Sequence, residues 1–246
     1  MVQNLYTSGE YLKKNPLWHT DESPWKAREI LRMLQRNALV PRSICEVGCG
    51  AGETLRLLQE RMDPTTCFRG YEISPQAHVM AKTRENERLH FLLRDIAQES
   101  DVFFDLILVM DVIEHLEDYF SFLRMLHPKS RYKILQIPLD ISVRSVLQVL
   151  LPNYRETFGH IHYFTKELAL QTLKDLQYEV LDYFYTEFTT SQEQNGADES
   201  VPLRLKHTLG RTKRELIKLP GRLAFAVNED IAARIWGRWR LLVLVR

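Results

Sequence analysis

The chain has 246 residues, 45% of them hydrophobic and 26% charged, and a formal net charge of +1. This is enough apolar material for one large core, and it excludes a disordered, collagen-like or disulfide-framework protein. The start, MVQNLYTSGEYLKKNP, has no apolar run, and the longest apolar stretches, LILVM and LLVLV, are of strand length, so neither a secretory signal nor a membrane span is expected.

Upstream of the first strand pattern, Ser23-Pro24-Trp25 opens a helix within residues 1–40, and its tryptophans are expected to anchor it to the core. Ser43 to Val47 reads as a short buried strand and Gly52 to Glu60 as the helix after it. Cys67 to Glu72 is a second strand, followed by a helix with Ser74 as N-cap and Pro75 at its first position. Leu89 to Leu93 and the fully apolar Phe104 to Met110 are the third and fourth strands. A helix over Leu116 to Leu126 precedes a fifth strand, Tyr132 to Ile137, stopped by Pro138. Ile141 to Leu151 (ISVRSVLQVLL) has helical spacing and is expected to pack inward near a pocket mouth. Thr165 caps another helix, and Tyr178 to Phe184 is a sixth strand. Residues 189–200 are polar and aperiodic and read as a mobile loop. Helical stretches around 203–218 and 228–236 follow, and Trp239 to Val245 is the last strand. Alternating strands and helices predict a parallel α/β sheet covered on both faces.

Two compositional features add to this. Cys45, Cys49 and Cys67 are odd in number and lack CxxC spacing, so they read as reduced thiols of a cytoplasmic protein. From Leu203 onward eleven Lys/Arg stand against three Asp/Glu, a net of +8, which leaves −7 on the rest of the chain. Such a basic segment suits a solvated helix face or an anionic partner.

The chemistry centres on EVGCGAGE, residues 46–53, where a strand ends in a glycine-rich turn that opens a helix. Such a turn presents backbone amides to a nucleotide-like ligand. A dinucleotide fold wants GxGxxG, but here Glu53 holds the place of the third glycine and would face a pyrophosphate. Glu46, two residues before Gly48, suits a ligand with a cationic amino-acid end. That combination fits S-adenosylmethionine better than NAD. Glu72, at the tip of the second strand, is placed to accept both ribose hydroxyls. Asp95 in LLRDIA can accept from an adenine amino group, with Ile96 against the ring, and Met110 ends the fourth strand near the ligand's reactive end.

EVGCGAGE, YEIS, RDIA and DVIEHLED together resemble the successive motifs of class I S-adenosylmethionine-dependent methyltransferases, in particular the group that includes ubiquinone-biosynthesis and other small-molecule O-methyltransferases. The resemblance spans about residues 43–185. It implies a doubly wound, Rossmann-like seven-stranded sheet with an antiparallel last strand, an N-terminal helical extension and a helical insert before that strand. The chain is then a single domain: a helical lid over 1–40, a cofactor-binding core over 41–186, and 187–246 holding the loop, the basic insert and the final strand. Glu46, Gly48 and Gly50 would line the methionine part, Glu72 the ribose, Ile73 the adenine face and Asp95 its amino group, with S-adenosylhomocysteine as product.

For the acceptor, the resemblance implies a small molecule methylated on a hydroxyl, natural-product or glycan-related, and anionic if it meets the basic segment. His115 and His162 are the candidate general bases, with His160 a third histidine beside them. Asp111-x-x-Glu114-His115 with His160 or His162 resembles the ligand set of some metal-dependent RNA 3′-end methyltransferases, but Asp stands first and the HxH context differs, so no metal is assigned. Met110-Asp111-Val112-Ile113 lacks the proline-proline-aromatic motif of amino-directed nucleic-acid methyltransferases, which argues against nucleic acid. An RNA-directed enzyme and a non-catalytic cofactor-binding partner are the alternatives.

Overall fold

Strands that are apolar along their whole length can be buried only as the middle layer of a sandwich, between amphipathic helices. The computed structural model, which describes residues 18, 20–187, 224–237 and 239–246, has this arrangement. Its strands are β1 (Ser43–Val47), β2 (Cys67–Glu72), β3 (Leu89–Leu93), β4 (Phe104–Met110), β5 (Ser130–Leu139), β6 (Val180–Glu187) and β7 (Trp239–Val245). They form one sheet in the order β3-β2-β1-β4-β5-β7-β6. Pairings among β1 to β5 are parallel, while β7 runs antiparallel to both β5 and β6 and lies between them.

The pleat sorts the core. Cys45, Val47, Ile107, Val109, Leu135 and Ile137 face one layer, covered by Leu123 and Leu126 of α4 (Tyr119–Leu126) and by Ala169 and Leu173 of α7 (Lys166–Asp175). Ile44, Leu106, Leu108, Met110 and Ile134 face the other, under Ala27, Ile30, Met33 and Leu34 of α1 (Ser23–Arg36) and Leu55 and Leu58 of α2 (Glu53–Arg61). Helix α1 is therefore a core element, and Trp25 is buried as expected. Its far end is clamped by Arg36, which donates twice to Asp182 of β6, at 2.9 and 3.0 Å. Between β2 and β3 lies α3 (Pro75–Lys82), with Ser74 as N-cap and Pro75 in its first turn.

Three segments differ from their sequence pattern. Helix α4 starts at Tyr119, not Leu116, because Asp118 caps it by accepting from the Ser121 amide at 2.9 Å, and Ile113–His115 forms a separate short turn. Strand β5 continues through Pro138, which lies past its last pair with β4 at Gln136, where only β7 is beside it. Most apolar residues of the 143–149 stretch do not pack inward. Residues 141–151 break into α5 (Val143–Leu147) and the start of α6 (Leu151–Phe158), with Val149 at φ +53 between them. Val143, Val146, Leu147 and Val149 are all exposed. The polar stretch 189–200 and the helical segment 203–218 lie outside the described residues.

The turn from β1 to α2 depends on glycine. Gly52 has φ +78, and a Cβ there would stand 2.4 Å from Cζ of the buried Phe91. Left-handed strain and overpacking together lead to an expected loss of about 2–4 kcal/mol for Gly52→Ala. A lower urea midpoint at unchanged m-value is the readout.

Candidate active site

Parallel strands all end on the same edge, and β1 and β4 are the neighbours at which the strand order reverses. A crevice opens there. After β1 the chain turns through Gly48 (φ +69) and Gly50 (φ +55), conformations that favour glycine. The Gly48 and Cys49 amides donate to the Tyr71 carbonyl at 2.8 and 3.1 Å, tying the turn to β2. A Cβ on Gly50 would meet the Trp18 ring at 2.7 Å, so the turn and an aromatic from the N-terminal segment meet at backbone distance.

Four carboxyl groups crowd this edge, each compensated differently. Glu72 accepts the Gly50 amide on one oxygen and the Ile73 and Ser74 amides on the other, all at 2.8 Å. Burial raises its carboxyl, and these three donors oppose the rise. Asp111 sits at φ +56 just past β4. Burial would raise its carboxyl, but Arg240 and Lys26 outweigh burial and hold it well below the usual range. Lys26 Nζ stands 2.9 Å from Oδ2, Arg240 Nε 3.2 Å from Oδ1, and Gln136 donates to Oδ2 at 2.7 Å. Glu22 joins the same cations at 3.7 and 3.4 Å.

The other two are less well served. Glu46 is buried, and no hydrogen-bond partner reaches its Oε2 among the described residues. Burial pushes its carboxyl up to about 8, against the lowering field of Lys26 and with a further push from Glu72. Glu114 has no exposure at all, and neither of its oxygens is bonded by any other described residue. Burial, then the charge of Asp111, raises it well above the ordinary value.

The histidines lie beyond β4. His115 Nδ1 bonds the Gly159 carbonyl at 3.1 Å, and His160 Nδ1 bonds Asp140 Oδ2 at 2.6 Å. The two rings meet edge-on with centroids 5.1 Å apart.

One cavity of about 1040 Å³ joins these parts. Of the cofactor residues expected from the sequence, it is lined by Glu46, Gly48, Gly50, Glu72, Ile73, Asp95 and Met110. Ile96 is not in the lining. It is wholly buried in the core, and Ala97 takes its place on the cavity wall, because Asp95 caps a short turn by accepting from the Ala97 amide. His115 lines the cavity, whereas His162 does not. His162 is turned to the Leu116 carbonyl, 2.8 Å from Nε2, and packs edge-on to Tyr119, so the second cavity histidine is His160. Trp18, Glu22, Lys26, Asp140 and Arg240 also line it, and no local motif marks them. Arg240 and Glu22 are 218 residues apart in sequence.

A family model described as a methyltransferase domain matches residues 17–183, and the chain belongs to this family. The protein is thus a methyltransferase. The fold is shared with the plantazolicin methyltransferase solved with a monoazolic desmethylPZN analog and SAH (17% identity, TM-score 0.61, 99% of this chain and 92% of that one). It is shared too with magnesium protoporphyrin IX methyltransferase from Synechocystis PCC 6803 with bound SAH (15%, 0.54, 90% and 82%) and with a SAM-dependent methyltransferase from Archaeoglobus fulgidus (18%, 0.54, 89% and 93%).

Glu46 yields a pH prediction. Its carboxyl titrates near 8 when folded and near 4.5 otherwise, so the folded state binds the extra proton between these values. The stability this group contributes is complete below about 4.5 and is lost as the pH rises toward 8. Urea unfolding from pH 4.5 to 8.5 should therefore fall less steeply with pH for Glu46→Gln than for the wild type; parallel curves would contradict the assignment.

Proposed function

We propose that this protein transfers a methyl group from S-adenosylmethionine to a hydroxyl of a small-molecule acceptor. The observation that carries the reading is the single cavity that runs from the glycine turn, Glu72 and Asp95 to the His115–His160 pair. It is large enough for a nucleoside-sized ligand and an acceptor side by side. The orphaned Glu46 oxygen and the glycine cradle are features that such a cofactor would use.

In this reading Glu46 takes the ammonium of the methionine part, which would draw its carboxyl back to the charged form. Glu72 has spent three of its roughly four acceptor positions on amides and keeps the remaining one for a ribose hydroxyl. Ile73 and Ala97 flank the base, and Asp95 reaches its amino group. When bound, S-adenosylmethionine supplies an electrophilic methyl on a sulfonium, and displacement there is in line, so placement of the acceptor oxygen dominates the rate. Met110 and the Lys26–Asp111–Arg240 network hold the midpoint between the two ends, and Tyr154 and Phe158 wall the acceptor chamber. His115 and His160 stand where the acceptor's proton must be loosened. Asp140 orients the His160 ring by accepting from its Nδ1. The neighbours named for magnesium protoporphyrin IX and for plantazolicin support a small-molecule acceptor. The excess of basic residues from Leu203 onward supports one that is anionic or glycan-linked.

Calorimetric titration with S-adenosylhomocysteine tests the cofactor end, with NADH as control. Binding is expected to release protons between pH 5 and 8 as Glu46 ionises, to lose that release in Glu46→Gln, and to weaken about tenfold or more in Glu72→Gln. NADH binding in its place would refute the reading. At the other end, His160→Ala should leave S-adenosylhomocysteine affinity within about twofold, while turnover in an acceptor screen falls about 10²-fold or more.

A further inference from the structure

We propose that Glu114, His115 and His160 bind one divalent transition-metal ion at the acceptor end of the cavity. The proposal rests on the preceding reading only for what the ion would do; the site itself stands on its own geometry.

The Glu114 carboxyl has no exposure, and neither of its oxygens is satisfied by another described residue. A buried carboxylate in that condition is expensive, and a proton relieves the charge without supplying an acceptor for the new O–H. A cation relieves both. Two imidazoles stand beside it. One ligand atom from each of Glu114, His115 and His160 lies within 4.8 Å of the other two, and His115 Nε2 is 3.8 Å from Glu114 Oε1. Ligands of a common ion with bonds of about 2.0–2.2 Å stand roughly 3–4 Å apart, so atoms up to 4.8 Å apart need to draw together by about 1–2 Å at most.

The ring orientations favour this use. Each histidine commits Nδ1 to an oxygen, the Gly159 carbonyl for His115 and the Asp140 carboxylate for His160. Donation from Nδ1 leaves the lone pair on Nε2, and a carbonyl or carboxylate behind a ligating imidazole is the usual outer support of a metal site. Asp140 and Asp111 add negative potential at Glu114, with Arg240 opposing it.

The set differs from the one suggested by sequence spacing. Asp111 is occupied by Lys26, Arg240 and Gln136, and His162 by the Leu116 carbonyl, so neither takes part. Two nitrogens and one carboxylate oxygen suit Zn²⁺, Fe²⁺, Co²⁺ or Mn²⁺ better than Mg²⁺ or Ca²⁺, which prefer oxygen. Both histidines line the cavity while Glu114 lies behind them, so the remaining coordination positions face the acceptor. An acceptor oxygen or a water would fill them.

The full chain, stripped with a chelator, is titrated with Co²⁺ followed by visible absorption and with Mn²⁺ followed by electron paramagnetic resonance. One ion per chain is expected. Glu114→Gln, His115→Ala and His160→Ala should each weaken binding by about tenfold or more, and Asp140→Asn by about 10–100-fold. Glu114→Gln keeps the shape but leaves no carboxylate to ligate the ion, so without metal it should be close to the wild type in stability, while losing the rise in melting temperature that Mn²⁺ gives the wild type. Less than one ion per chain at millimolar Co²⁺, or binding unchanged by Glu114→Gln, overturns the site. Titration with S-adenosylhomocysteine separates the two readings: its binding without metal binding overturns this inference alone, and metal binding without it overturns the cofactor reading alone.

Discussion

Buried negative charge at the carboxyl edge of the sheet is the constraint on which the rest of this structure depends. Parallel strands bring Glu46, Glu72, Asp111 and Glu114 to one crevice, where low polarisability makes each ionised carboxylate costly. The protein answers by different means. Glu72 is wrapped in three backbone amides. Asp111 is held between two cations and an amide side chain. Glu46 has only the field of Lys26 against its burial, and Glu114 has no bonded partner from another described residue. The first two are therefore compensated by the fold itself, and the last two are the carboxyls that the described residues serve least.

The compensating groups come from far along the chain. Lys26 rides on the first turn of α1, and Arg240 on β7, the strand inserted antiparallel between β5 and β6. Asp111 joins them at the tip of β4. Docking of the N-terminal helix, closure of the sheet by its last strand and the shape of the cavity midpoint are thus coupled through one carboxylate. A change at any of the three elements would be felt at the centre of the cavity, and the left-handed backbone at Asp111 is held there by the same contacts.

At the far end, the segment after β5 forms part of the cavity wall. Val143, Val146, Leu147 and Val149 turn outward, while α6 sends Tyr154 and Phe158 to the cavity wall. The Gly159 carbonyl and Asp140 then fix His115 and His160 from behind. This end of the cavity is therefore walled by a segment outside the sheet, while the strand ends and the turns after them line the other end.

Local pattern was sufficient for most of the scaffold. Apolar runs, the Ser74-Pro75 and Thr165 helix starts and the three alternating glycines specify strands, helices and turn through short-range sterics and hydrogen bonding, and the strand and helix rhythm implies the sheet. That Glu46, Glu72, Asp95 and Met110 would share one cavity was legible because parallel strands deliver their ends, and the turns after them, to the same edge. Where the chain leaves regular structure, periodicity carries no such information. The exposure of Val143 to Val149 and the burial of Ile96 behind Ala97 are not marked by periodicity, and the choice of His160 over His162 for the cavity was decided by which carboxylate or carbonyl stood nearby in space. The pairing of Lys26 and Arg240 on Asp111 and the isolation of Glu114 belong to the same class. They follow from long-range packing, in which charge compensation depends on residues hundreds of positions apart, and only the tertiary structure brings those together.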